Sequence, residues 1–134
     1  MKRVFADSSY FIAVLSRTDA HHQRAGQLAI NLRDRLVTTH WVIAEVLGYL
    51  SSPAIRRSSS AFMRRLLEDP ATHVVPPDQS LFNEGFALFQ QHHDKAWSLV
   101  DCISFVVMRR RRIREALTAD HHFAQAGFVP LLAQ

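Results

Sequence analysis

Four carboxylates in this chain are awkward to explain singly and useful together. Asp7 ends the apolar run Val4-Phe5-Ala6, and Asp120 ends Leu117-Thr118-Ala119, each where a strand should give way to a helix. Asp101 follows Ser98-Leu99-Val100, a spacing that fits a capping box. Glu45 is the one charge within Trp41-Val42-Ile43-Ala44-Glu45-Val46-Leu47-Gly48-Tyr49-Leu50. Capping of the following helix explains Asp7, Asp101 and Asp120 one at a time. It does not explain Glu45: a glutamate is almost never fully buried alone, so this one has to reach an arginine, a metal or a solvent cleft.

Gathered in one cleft, the four acids would suit a hard divalent cation such as Mg2+ or Mn2+, which takes oxygen ligands and keeps several waters. Without a cation they repel: at about 4 Å each pair costs on the order of 4 kcal/mol at an effective dielectric near 20. An ion that removes this repulsion also activates water and stabilises the charge that develops on a phosphodiester during in-line displacement.

The elements that must position the acids alternate along the chain. Strands are expected over Arg3 to Ala6, Leu36 to Thr39, Thr72 to Val75, Ala116 to Ala119 and Phe128 to Leu132. Helices are expected from Ser8 to Ser16, about Ala20 to Arg33, from Thr39 or His40 through Leu50, and from Pro53 toward Leu67. Further helices should follow Asp78 as an N-cap through His92 and run from Ser98 to Arg111, with a short last one closed by Gly127. Such alternation predicts an α/β fold, a central parallel sheet of about four to five strands with helices on both faces. In open sheets of this kind ligands bind beyond the carboxyl ends of the strands, where Asp7 and Asp120 fall.

A length of 134 residues fits a single domain spanning 1–134 and leaves no room for a second. There is no low-complexity tract, linker or solenoid repeat. Asp7 interrupts the first apolar stretch before it could form a signal-peptide core, and no run approaches transmembrane length, so a cytoplasmic protein without membrane contact is expected. One cysteine, Cys102, excludes an internal disulfide and suits a reducing compartment. The formal charge of +4 is carried mostly by arginine, whose planar fork of donors suits phosphate.

Three stretches, VFADSSYFIAVL, TTHWVIAEVLGYL and SLVDCISFVVMRRRRIREALTADHHFAQAGF, resemble the PIN-domain nucleases, specifically the VapC-like toxins of toxin–antitoxin modules. The last stretch is the most specific, because an acid, an apolar helix, a basic turn, a strand and a second acid follow one another in the family's order. The resemblance implies a single PIN-like domain with Asp7, Glu45, Asp101 and Asp120 as the catalytic acids and Ser9 as a hydroxyl supporting Asp7. Asp7 and Asp101 would be the surest metal contacts. Asp120 would complete the metal residues, and both it and Glu45 would bind through water or orient the nucleophile. It implies an Mg2+- or Mn2+-dependent endoribonuclease acting as the toxin of a type II module, an RNA substrate, a cognate antitoxin that blocks the cleft, and a homodimer. Where many relatives end the helix before the fourth strand with glycine, this chain has Arg111-Arg112-Ile113.

Arg109, Arg110 and Arg112, with their neighbours, could grip RNA phosphates or simply offset a helix dipole. Arg56, Arg57, Arg64 and Arg65 are either a solvated helix face or a contact surface for RNA or antitoxin. The pairs His21-His22, His92-His93 and His121-His122 lack the spacing of a zinc site, although His121 or His122 beside Asp120 could touch substrate. Cys102 reads as a small buried hydrophobe, with no placed histidine base. The rival functions are a non-catalytic RNA- or protein-binding module with the same fold, and an aspartate-dependent phosphatase using Asp7. The second is weakened by Ser9, where a second aspartate is wanted, and by a chain whose only lysines are Lys2 and Lys95.

Overall fold

The computed structural model describes residues 2–133. Five parallel strands form one sheet: β1 (Arg3–Ala6), β2 (Arg35–Thr39), β3 (Thr72–Val75), β4 (Glu115–Leu117) and β5 (Val129–Pro130), in the order β3-β2-β1-β4-β5. Between them run α1 (Ser8–Leu15), α2 (His22–Asn31), α3 (His40–Tyr49), α4 (Pro53–Glu68), α5 (Gln79–Gln91), α6 (Leu99–Arg110) and α7 (His121–Gln125). Right-handed crossovers that move from β1 toward β3 set α1 to α4 on one face. Those that return to β4 and β5 set α5 to α7 on the other. The helix contacts agree: α1 packs on α2 and α3, α3 on α4, and α6 on α5 and α7.

Covering both faces explains why β1 reads as an unbroken apolar run rather than an alternating one. Val4, Phe5 and Ala6 are all fully buried. The same holds for α6, where every residue from Asp101 to Met108 is buried between the sheet and α5. Gly85 permits that approach, because a Cβ there would overlap the Ile103 side chain. No helix among the described residues is long and apolar enough to cross a membrane.

Three strands differ from expectation, β2 and β4 each starting one residue early, at Arg35 and Glu115. β4 ends at Leu117, two residues early, because Thr118 turns its hydroxyl toward Asp7. β5 shrinks to Val129–Pro130, since proline has no N–H to extend a ladder. The turn after α6 closes without glycine: Arg112 adopts φ 56°, Ile113 N donates to Met108 O at 2.9 Å, and Arg112 N donates to Arg109 O at 3.2 Å. α7 closes the same way around Gly127 at φ 96°, with Phe128 N to Phe123 O at 2.9 Å and Gly127 N to Ala124 O at 3.0 Å. In both turns the two residues joined by the bond that spans five positions are apolar, Met108 with Ile113 and Phe123 with Phe128.

Candidate active site

The order β3-β2-β1-β4-β5 reverses direction between β1 and β4, and the crevice at such a point is the expected ligand site of an open α/β sheet. Asp7 leaves β1 here. Its amide donates to Leu117 O at 3.1 Å, carrying the pairing one residue past the strand. It occupies the N-cap position of α1, yet its carboxylate makes no capping bond. That carboxylate is committed elsewhere: Thr118 Oγ1 donates to Asp7 Oδ2 at 2.8 Å, and Ser9 Oγ lies 3.1 Å from the same oxygen and 3.0 Å from Thr118 Oγ1. Ser9 Oγ also accepts the Ala119 amide at 3.1 Å, and Thr118 Oγ1 accepts the Asp120 amide at 3.0 Å. One hydroxyl thus reads both strand ends, fixing Asp7 with its proton and Asp120 with its lone pair.

Asp101 enters from the other face. It completes the capping box expected from its spacing: Asp101 N donates to Ser98 Oγ and Ser98 N to Asp101 Oδ2, both at 3.0 Å. Asp120 does cap its helix, accepting the His122 amide at 2.9 Å. The His122 ring then joins the two acids, with Nδ1 at 3.1 Å from Asp101 Oδ2 and 3.2 Å from Asp120 Oδ1. Since carboxylates only accept, this Nδ1 carries the proton. His121 is an outer neighbour, 3.7 Å from Asp120 Oδ1. Ligand atoms of Asp120, His121 and His122 lie within 4.8 Å of one another, a proximity that helix-face reasoning about adjacent histidines did not anticipate, because both rings turn back to the residue before the helix.

Burial pushes the Asp7 carboxyl up to about 6 from an ordinary 3.8; the Thr118 hydroxyl opposes the rise and the Asp101 charge adds to it. Asp101 is raised too, chiefly by burial, with the Ser98 amide opposing and the Asp120 charge adding. Among the described residues no lysine or arginine pairs with Asp7, Asp101 or Asp120. A set of hard oxygen donors, partly buried, mutually repelling and answered by one imidazole, fits a divalent cation.

Glu45 stands apart. It is exposed on α3, and no hydrogen bond or ion pair among the described residues ties it to the other acids. The arginine partner that burial would have required is absent because burial is absent: Ala44, Glu45, Gly48 and Tyr49 form an open face of a helix whose composition reads as apolar nearly all round. Arg109 and Arg110 occupy the last turn of α6, Arg110 pairing with Glu84. Arg111 lies ten residues beyond Asp101, about 15 Å along the helix axis, so this basic run is at the opposite end of the strands from the carboxylates. Cys102 is buried and its thiol pushed up to about 11, mainly by desolvation, which leaves it no thiolate to attack with. Thr118 is the functional residue that sequence reasoning passed over; its one signal was a hydroxyl two residues ahead of Asp120.

The family model for the PIN domain matches residues 4–129. Over 128 residues the chain is 28% identical to the 23S rRNA-specific endonuclease VapC20 from two Mycobacterium tuberculosis strains, CDC 1551 / Oshkosh and H37Rv, covering 94% of this chain and 95% of the relative. The crystal structure of Mycobacterium tuberculosis VapC20, described as a sarcin-ricin loop cleaving toxin, superimposes with a TM-score of 0.88 at 26% identity, covering 96% of this chain and 98% of that one. FitAcB from Neisseria gonorrhoeae shares the fold at a TM-score of 0.63 and 13% identity, over 95% and 94% of the two chains. The fold and these matches agree: the chain belongs to the PIN domain family, as a VapC-like member.

Proposed function

We propose that this chain is a metal-dependent endoribonuclease, the toxin of a type II toxin–antitoxin module acting in the cytoplasm. The observation that carries the reading is the convergence of Asp7, Asp101 and Asp120, from three separated parts of the chain, on one partly buried network with no lysine or arginine among the described residues to neutralise it. Asp7, Asp101 and Asp120 hold Mg2+ or Mn2+ through carboxylate oxygens. The bound ion supplies a more acidic water and offsets phosphate charge. Ser9 and Thr118 fix the Asp7 carboxylate and favour its ionised form. Glu45, exposed and without a partner among the described residues, orients the attacking water and accepts its proton. Water oxygen bonds to phosphorus, the bond from phosphorus to the leaving oxygen breaks, and a proton reaches that oxygen.

Likeness to an rRNA-specific endonuclease over nearly the whole chain supports a structured ribosomal RNA loop as the substrate class. A cognate antitoxin blocking the carboxylate cleft and a homodimeric toxin complete the proposal. A phosphatase using Asp7 as nucleophile is disfavoured, because one carboxylate oxygen is tied to Thr118 and Ser9 and the group is buried. The test is cleavage of ribosomal RNA by purified protein with Mg2+ or Mn2+, beside a chelator and an Asp7→Asn variant. Fragments that vanish in both controls establish the nuclease. Intact RNA under all conditions, with no metal effect on the melting temperature, removes it.

A further inference from the structure

The end of the sheet opposite the carboxylates concentrates positive charge. Lys2, Arg3, Arg112 and Arg114 line a hollow of about 440 Å3. Arg3, Arg35 and Arg111 line a neighbouring hollow of about 290 Å3. Arg3 belongs to both, its guanidinium held by Arg111 O at 2.6 Å. Against these six cations Glu115 pairs with Lys2, Asp34 lies close enough to help raise the Lys2 pKa, and Asp69 is held by Thr72 and the Ala71 amide on the wall of the second hollow. His73, at the rim, is held below its ordinary value by burial and then by the Arg111 and Arg3 charges.

Two placements here work against the stability of the fold. Arg3 and Arg35 are register partners on the adjacent strands β1 and β2, and like charges side by side repel. Arg112 holds φ 56°, a left-handed conformation that glycine takes without strain, as Gly127 does in the same turn after α7. A strained arginine whose side chain lines a charged hollow is the kind of outlier that points to a ligand. A bound anion would relieve both costs. The cations are spread along two adjoining hollows rather than converging on one point, and most are guanidinium forks, which match a succession of phosphates better than a single one.

We propose that this basic floor, built from Lys2, Arg3, Arg35, Arg111, Arg112 and Arg114, binds the phosphodiester backbone of an RNA arm remote from the scissile bond. The choice of RNA rests on the ribonuclease reading above. The floor makes the enzyme prefer a folded RNA long enough to reach around the sheet over a short strand that fits the carboxylate cleft alone.

The test uses the full chain carrying Asp7→Asn, so that RNA is bound and not cut, with and without Arg35→Gln and Arg112→Gly together. Neither added change removes a packed side chain, and a melting curve confirms the fold. Affinity is measured by fluorescence anisotropy across a salt series, for a long folded ribosomal RNA fragment and for a short single-stranded oligonucleotide. The expected result is about a tenfold loss for the long RNA and a salt slope shallower by about 1.5, since two phosphate contacts are removed. The short strand should change by less than about twofold, as one that never reaches the floor would. Unchanged affinity and slope for the long RNA overturn the proposal. So does an equal loss for the short strand, which would place these arginines at the cleft, or an unchanged RNA affinity with weakened binding of a polyglutamate peptide, which would assign the floor to a protein. Floor-dependent RNA binding by a protein whose parent never cleaves would leave this inference standing and remove the nuclease reading instead.

Discussion

The Thr118 hydroxyl donates to Asp7 Oδ2 at 2.8 Å across a separation of 111 residues, and Thr118 Oγ1 in turn accepts the Asp120 amide at 3.0 Å. A buried residue beside an acid is usually part of the packing; this one opposes the rise that burial imposes on one acid's pKa and holds the backbone of another.

Thr118→Val removes the bond that favours ionised Asp7 and strands the Asp120 amide. The Asp7 pKa should rise further, so the acid limb of the cleavage profile moves to higher pH by on the order of one unit, with a stability loss of roughly 1–3 kcal/mol. Thr118→Ser should restore the profile. A limb that stays in place while stability falls would reduce Thr118 to packing. The measurement is rate against pH for the three proteins.

Asp7 carries a pH signature in the metal-free protein. Its folded-state pKa, about 6, lies above the ordinary 3.8, so the folded state binds the proton more tightly than the unfolded chain. Its contribution is favourable at low pH and is lost as pH rises through that interval, by roughly 3 kcal/mol at most. Asp7→Asn should lack this fall and, in chelator at pH 7.5, melt no lower than the parent. Mg2+ or Mn2+ should raise the melting temperature of the parent and not of the variant. Denaturation at pH 4.5 and 7.5, with and without metal, checks all of it.

Glu45→Gln separates chemistry from folding more cleanly than any other substitution here. The side chain is exposed and makes no bond within the described residues, so stability should stay within about 0.5 kcal/mol of the parent. Cleavage should fall by about a hundredfold or more if Glu45 accepts the proton of the attacking water. Near-parental cleavage would take Glu45 out of the active site.

Arg112→Gly should stabilise the protein by about 1 kcal/mol, raising its melting temperature by roughly 3–5 °C, because the left-handed turn after α6 no longer carries a Cβ. Gly127→Ala, in the matching turn after α7, should cost a similar amount. Calorimetry of the pair measures one backbone geometry in both directions. Equal melting temperatures for Arg112→Gly and the parent would show that the arginine is unstrained.

The element order was legible in the sequence because apolar runs, caps and proline breaks coincide along most of it. β3 falls on Thr72–Val75 as read, and the Ser98 to Asp101 spacing yields the capping box. What stayed hidden depends on partners distant in sequence. Thr118 looks like an ordinary β-branched strand residue until β4 lies beside β1. His122 looks like half of a poor zinc pair until α6 brings Asp101 within 3.1 Å of its ring. Glu45 misled in the opposite direction, since an apolar neighbourhood in sequence is not burial: Tyr49, one turn on, is 71% exposed. The missing glycine before β4 was visible in Arg111-Arg112-Ile113, but not that Arg112 itself takes the left-handed conformation and closes the turn with the hydrogen bonds a glycine would use.

The pairing of β1 with β4 has a consequence for synthesis. Asp7 emerges from the ribosome among the first residues, and its hydroxyl partner Thr118 follows 111 residues later. At about 5–20 residues per second the interval is several seconds or more, during which β1 can pair only with β2. A nascent or truncated chain that lacks the segment from Ser98 to Asp120 therefore holds Asp7 without Asp101, Asp120 or the Thr118 hydroxyl, and on the function proposed above it stays inert until its last two strands are made.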